Sequence, residues 1–448
     1  MENNSSLKDV EFISARNFLF SGSYFRKVML SCVENRDYKA LTTVIKDVTE
    51  FNPTLYPQLV KFYELFIVGF GELELADQVK ETLFEAVQKV NVLNDNTYKQ
   101  PPVLDLTNCS DIGEFIDKVV AIQFLSNTLE KMKKPILIIS NVHSLNKGSL
   151  APYLQKNFEL VLEDKSIASL RRKMFLPDMT SDFIGHNKDS FFHFYEYVSE
   201  VTPLLRTQNR SVPVFELQEE TKKIADQFLR RIEIEISTNY VVIELQPSTA
   251  EGDRDSFNFM RSIAGYINSI NLLLRSGLKV IFLGPPQPIN LKEFDGLIDL
   301  SAIKRPFEVD ISLIAQAKFF LGGKSTGSTL AHAFGTPQLM PNAIPFSGCR
   351  ATSFAQCARF FWSRNDQLLS IEEIKSNGLF SAFAPQLLKH KGIYCKPYNS
   401  EQIEEATKEM LDYLEGGENF KLNECFKHEK QKYGIYGGLC SNTLKLLD

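Results

Sequence analysis

The chain has 448 residues, 44% hydrophobic and 23% charged, an ordinary globular composition and more chain than one hydrophobic core usually supports. Its 50 Lys and Arg against 55 Asp and Glu leave a formal net charge of −5, which excludes the general electrostatic footprint of a nucleic-acid binder. The seven cysteines are scattered with no Cys-x-x-Cys pair, as expected of reduced thiols in a cytoplasmic protein. The start, MENNSSLKDVEF, lacks the basic and apolar build of a signal peptide, and no apolar run reaches the length of a transmembrane segment.

The first hundred residues read as a helical region. Apolar residues recur at three- and four-residue spacing in Tyr38, Leu41, Val44 and Ile45, in Leu59, Phe62, Tyr63 and Phe66, and in Leu83, Phe84, Val87 and Val90. Such helices could dock a protein partner. From Pro102 the texture alternates: VLDL is a short strand, Ile112 to Met132 a long amphipathic helix, and PILIIS a buried parallel strand. A short helix through Tyr153 and Leu154, a strand FELVLE and a polar segment, LPDMTSDFIGHNKDS, complete a reduced α/β domain over 101–235.

A helix over Phe215 to Arg231 leads into a cleaner pattern. The strand YVVIEL, from Tyr240 to Leu245, precedes a polar loop, a helix around Ile263 to Leu274, and Gly277 as its stop. The strand KVIFLG, an edge strand at Ile298 to Ser301, a helix from Asp310, and the strand FFLGG follow. Strands and helices alternating at this spacing predict a doubly wound parallel sheet over 236–400. A helix from Asn399 to Glu415, stopped by Gly416 and Gly417, begins a helical tail over 401–448. The predicted fold class is therefore α/β, with two Rossmann-like domains facing a cleft behind an N-terminal helical region.

The most informative stretch is LGGKSTGSTLAHAFGTPQLMPNAIP, from Leu321 to Pro345. It reads as strand, glycine-rich turn, helix and strand, so turn amides and a helix amino end converge on one spot that suits a phosphate. Gly323, Lys324, Ser325, Thr326, Gly327 and Ser328 are the candidate diphosphate cradle, and Ser325, Thr326 and Ser328 are also the candidate helix caps. The same turn can serve merely as a tight connection between strand and helix. It is not a Walker loop, because no glycine stands where Gly-x-x-x-x-Gly-Lys-Ser/Thr requires the first one. His-Glu-x-x-His, paired cysteine and EF-hand patterns are missing too, so no metal site is expected. Gly-x-Ser-x-Gly is missing as well, so no serine-hydrolase elbow is expected.

These residues carry a resemblance. Arg261 in NFMRSIAGYINSI, Gly277 and Gly284 around KVIFL, Ile298 and Asp299, Asp310 in VDISLIAQAKFFLGG, Ser325 to Gly327, and Phe334 to Pro337 follow one another as in a family of bacterial glycosyltransferases of GT-B-like architecture associated with polysaccharides. The resemblance covers roughly Asn239 to Leu414. It implies transfer of a sugar from a nucleotide-sugar donor to a glycan, lipid-linked or protein acceptor, without metal and with no cofactor beyond the donor. Two family features differ: the first strand ends in Glu244-Leu245-Gln246-Pro247 where the family has His-x-Arg, and Phe282 stands where it prefers arginine. Arg254, Lys304, Arg305 and Lys324 are the available substitutes.

Transfer builds negative charge on the departing diphosphate and needs a base for the acceptor hydroxyl. Arg261, Gly284, Lys304, Arg305 and the glycine-rich turn are the expected donor site. Glu244, Asp255 and Asp310 are candidate ribose or acceptor contacts, although loop carboxylates are commonly only solvated and Asp310 also suits a helix N-cap. For the base, His143 stands just past PILIIS, with Asp178, Asp182 and His186 as rivals. A nucleotide-sugar epimerase of the same architecture, or a non-catalytic scaffold, are the other readings of this pattern.

Overall fold

The computed structural model describes residues 215–235, 239–245, 262–343, 352–377, 391–432 and 437–447 almost continuously. It also describes shorter pieces at 37–51, 103–105, 136–139, 147–155, 159–162, 183–187 and 190–193, and a few single positions and pairs besides. The chain divides into two compact units, one of 1–107, 131–140 and 159–197 and the other of 108–130, 141–158 and 198–448.

In the first unit, helix α1 (Tyr38–Phe51) buries Leu41 and Val44 three residues apart on one face. Strands β1 (Val103–Asp105), β2 (Ile136–Ile139) and β3 (Glu159–Leu162) form a parallel sheet in the order β1-β2-β3. The polar segment also holds structure that its composition did not announce. Strands β4 (Phe183–Asn187) and β5 (Ser190–His193) pair antiparallel, two residues apart in sequence, which is tight-hairpin spacing.

The second unit is built on a seven-stranded sheet. Its elements in chain order are α2 (Lys147–Gln155), α3 (Glu219–Arg231), β6 (Tyr240–Glu244), α4 (Ile267–Arg275), β7 (Lys279–Phe282), β8 (Leu297–Asp299), α5 (Phe307–Ala315), β9 (Phe319–Gly322), α6 (Thr326–Ala333), β10 (Gln338–Ala343), β11 (Ser353–Cys357), β12 (Arg359–Trp362), α7 (Ile371–Ser376), β13 (Ile393–Lys396), α8 (Ser400–Leu414), α9 (Glu418–Cys425), α10 (Lys427–Lys432), β14 (Gly438–Leu439) and α11 (Ser441–Leu444). The sheet order is β14-β11-β10-β9-β6-β7-β8, with every pair parallel. With a parallel sheet in each unit, the α/β class expected from the sequence holds.

The central strands explain themselves. Val241, Val242 and Ile243 of β6, and Phe319, Phe320 and Leu321 of β9, are completely buried, as a strand covered on both faces must be. Each such Leu or Phe contributes on the order of 2 kcal/mol relative to an exposed position. On one face, Tyr266, Ile270 and Leu273 join Ile403, Ala406 and Met410, so α4 and α8 cover the sheet together. Inside that packing the Thr407 hydroxyl lies 2.9 Å from that of Ser269. Tyr153 of α2 contacts the rings of Phe215 and Phe334 and donates its hydroxyl to Thr221 on α3 at 2.8 Å.

Helix ends follow local chemistry. Asn399 and Gln402 form a capping box for α8, and Ser325 with Ser328 form one for α6. Gly277 and Gly335, at φ +77° and +72°, end α4 and α6 in a conformation that side chains with a Cβ resist. The expectation that Asp310 caps its helix is corrected: α5 begins at Phe307 behind Pro306, so Asp310 lies in the first turn. Pro306, at φ −59° and ψ 147°, supplies the extended entry. Strands β11, β12 and β13 also lay outside the sequence reading; β12 and β13 pair antiparallel beside the main sheet.

Candidate functional site

The order of the sheet fixes where a ligand can enter. From β6 the chain first builds outward through β7 and β8, then returns to the other side of β6 to place β9, β10 and β11. The crevice at the carboxyl ends of β6 and β9 is thus the topological switch point, the usual ligand position of an open parallel sheet. Glu244 and Gly322, the last residues of those two strands, are register partners there. A Cβ on Gly322 would overlap the Glu244 carbonyl oxygen, so only glycine permits this approach.

Past Gly322 the chain turns into α6. Gly323 is buried, yet a Cβ on it would meet nothing within 4 Å, so there is room beside the turn. The Ser325 hydroxyl accepts the Ser328 N–H at 3.1 Å. The Ser328 hydroxyl accepts the Ser325 N–H at 2.9 Å and donates to the Ser325 carbonyl at 2.8 Å, so it is committed to capping. Thr326 and Gly327 border a hollow of about 180 Å³, walled by Ile112, Glu244, Leu283, Phe307, Asp310, Ile314 and Leu330.

Glu244 reaches into this corner. Its Oε2 accepts the Ser325 hydroxyl at 3.1 Å, and its carboxylate also accepts the Gly327 N–H. Burial raises its carboxyl to about 7, and neighbouring Asp310 pushes the same way. Ser325, the Gly327 N–H and Arg305 pull less strongly in the other direction. Asp310 is also raised by burial, against the downward pull of Arg305.

Arg305 is held by partners within the protein. Its Nε donates to Asp310, one terminal nitrogen donates to the carbonyls of Leu300 and Ile303, and the other donates to the carbonyl of Leu283 at 3.1 Å. With its side chain only 10% exposed, the fork joins the end of β7, the turn after β8 and the start of α5.

The other candidates are placed unevenly. Lys304 and Lys324 are exposed. Gly284 is buried, and a Cβ there would press on the Phe282 ring at 2.8 Å and the Leu245 nitrogen at 3.0 Å, which is a packing reason for glycine. His186 lies in β4, in the first unit. His143, Asp178, Asp182, Arg254, Asp255 and Arg261 lie outside the described residues. The apolar wall of Leu283, Phe307 and Leu330 had no sequence signal, because each reads simply as core. A wider open depression of about 640 Å³ is lined by Asn268, Asn271, Leu274, Arg275, Glu293, Phe294, Asp295 and Glu404, none at the carboxyl end of a strand. Among the described residues no three His, Cys, Asp or Glu side chains gather as a metal site, and no helix is long and apolar enough to cross a membrane.

No family model matches the sequence, and no curated protein matches it. Solved structures do. A glycosyl transferase family 9 protein from Veillonella parvula is 14% identical with a TM-score of 0.42, over 70% of this chain and 97% of that one. The ADP-heptose lipopolysaccharide heptosyltransferase II of E. coli is 12% identical with a TM-score of 0.40, over 70% and 100%. TibC from enterotoxigenic E. coli, described as an iron-containing dodecameric glycosyltransferase, is 18% identical with a TM-score of 0.32, over 55% and 60%. Likeness of this strength does not fix an activity for this chain.

Proposed function

We propose that the protein is a glycosyltransferase that seats the diphosphate of a nucleotide sugar at the carboxyl edge between β6 and β9. The donated sugar goes to a glycan, lipid-linked or protein acceptor. One observation carries the reading: the glycine-rich turn, the room beside Gly323, the amino end of α6 and the hollow all coincide with the switch point of the sheet. The sequence resemblance supplies the reaction class, since a phosphate-friendly crevice alone is compatible with many chemistries.

In this reaction the acceptor oxygen attacks the anomeric carbon, the bond from that carbon to the diphosphate oxygen breaks, and the nucleoside diphosphate leaves with the bonding electrons. The proton of the acceptor hydroxyl passes to a base, for which His143, Asp178 and His186 are the candidates. Backbone N–H groups of the turn and the cations Lys324, Lys304 and Arg261 would answer the charge developing on the leaving group. We propose catalysis without a resident metal.

The test is calorimetry of the purified protein against UDP-, GDP-, ADP- and CMP-sugars, followed by mass spectrometry of the products. Binding of one nucleotide class, with free nucleoside diphosphate and glycosylated acceptor as products, supports the reading. Acceptor-independent isomerisation would replace it with epimerase chemistry. No binding by any donor removes it.

A further inference from the structure

We infer that Glu244 is an internal occupant of the anion seat: its carboxylate holds the amino end of α6 where a phosphate would lie, and an anionic ligand enters by displacing it. The inference rests on the proposal that this turn receives the donor diphosphate. It adds that the site is closed by the protein's own side chain.

Three observations lead there. First, the carboxylate already takes the groups that a phosphate would use, accepting the Gly327 N–H and the Ser325 hydroxyl, the latter at 3.1 Å. A helix amino end offers only a few outward N–H groups, so a second anion cannot share them on equal terms. Second, the hollow beside them holds about 180 Å³, below the roughly 300–1,000 Å³ usual for small-molecule sites. Glu244 forms part of the wall of that hollow, so its departure would enlarge it.

Third, the charges around the carboxylate favour its departure over a second negative charge beside it. Asp310 faces it from α5, and Arg305, the nearby cation, is bound to Asp310 and to backbone carbonyls. Lys324 extends from the turn as an exposed side chain. Asp310 and Arg305 are the charged side chains that act on this carboxylate among the described residues. Above neutral pH the ionised carboxylate sits in an enclosure that disfavours it, held by the two hydrogen bonds it makes. A ligand that replaces those bonds releases the carboxylate to water.

The direction of one substitution effect distinguishes an occupant from a contact. Calorimetric titration of wild type, E244A and E244Q with inorganic pyrophosphate and with UDP, GDP and ADP should show tighter binding in E244A, on the order of tenfold, with E244Q between. Melting temperature checks folding, and if E244A does not fold, the rise in E244Q carries the test. Weaker binding in folded variants would make Glu244 a ligand contact and overturn the inference, leaving the proposed function in place. Equal affinities in all three proteins would do the same. Failure of every protein to bind any probe would remove both.

Discussion

The Glu244 carboxylate and the Ser325 hydroxyl stand 3.1 Å apart, joining residues 81 positions distant in the chain. One ends β6 and the other caps the helix that follows its neighbour β9, so the bond fastens the switch point of the sheet. Ser325 is thereby both a helix cap and a donor to a half-buried carboxylate. The state of Glu244 therefore reaches the stability of the turn as well as its ligand chemistry.

Gly327 shows how close this packing is. A Cβ there would overlap Glu244 Oε2 and press on the Phe320 ring at 2.8 Å. Helix propensity favours alanine over glycine by about 1 kcal/mol, whereas overpacking costs about 1–3 kcal/mol and the displaced carboxylate loses its bonds. We expect Gly327→Ala to lower stability by about 2 kcal/mol in urea unfolding, and by less in an E244A background, where one of the two clashes is gone. Equal losses in both backgrounds would show that the two side chains do not meet.

Stability should depend on pH through Glu244. Its folded carboxyl, near 7 against an ordinary 4.5, binds its proton more tightly than the unfolded chain does. Stability is therefore highest below about 4.5 as far as this group is concerned, falls as pH rises toward 7, and levels off above. A shift of that size corresponds to up to about 3 kcal/mol, and Asp310, raised as well, adds in the same direction. Urea unfolding across this range should show the fall in wild type and a flatter profile in E244Q. Identical profiles would place the titration elsewhere.

The Arg305 fork should not tolerate lysine. A point charge on a flexible stem cannot serve Asp310 and the carbonyls of Leu300, Ile303 and Leu283 together. We expect Arg305→Met to cost about 2–3 kcal/mol, because it strands the half-buried Asp310 carboxylate and three backbone carbonyls, and Arg305→Lys to recover only part of that. Lysine and arginine proteins with the same unfolding midpoint would refute the structural role of the fork.

Several elements were legible because their signals are local. The run Val241, Val242 and Ile243 marks a strand buried on both faces, Ser325 and Ser328 mark a helix start, and Gly277 and Gly335 mark helix ends. Other features were not. Pro306 took the cap position expected of Asp310, because an extended proline sets a helix entry without a side-chain acceptor. Strands β11 to β13 form through partners on distant segments, and the β4–β5 hairpin, though local, lies in a polar stretch whose composition does not announce it. The partners of Arg305 were not legible either, because backbone carbonyls bear no letter in a sequence.

By itself the sequence determined the succession of strands and helices from β6 to β10 and singled out the turn at Gly322 to Ser328, since periodicity, caps and glycines act over a few residues. Only the tertiary structure decided that β9 lies beside β6 and that Glu244 ends against that turn. Strand neighbours are chosen by burial across the whole sheet, and the proton affinity of a carboxyl is set by whatever encloses it. Neither can be read from the residues next to it in the chain.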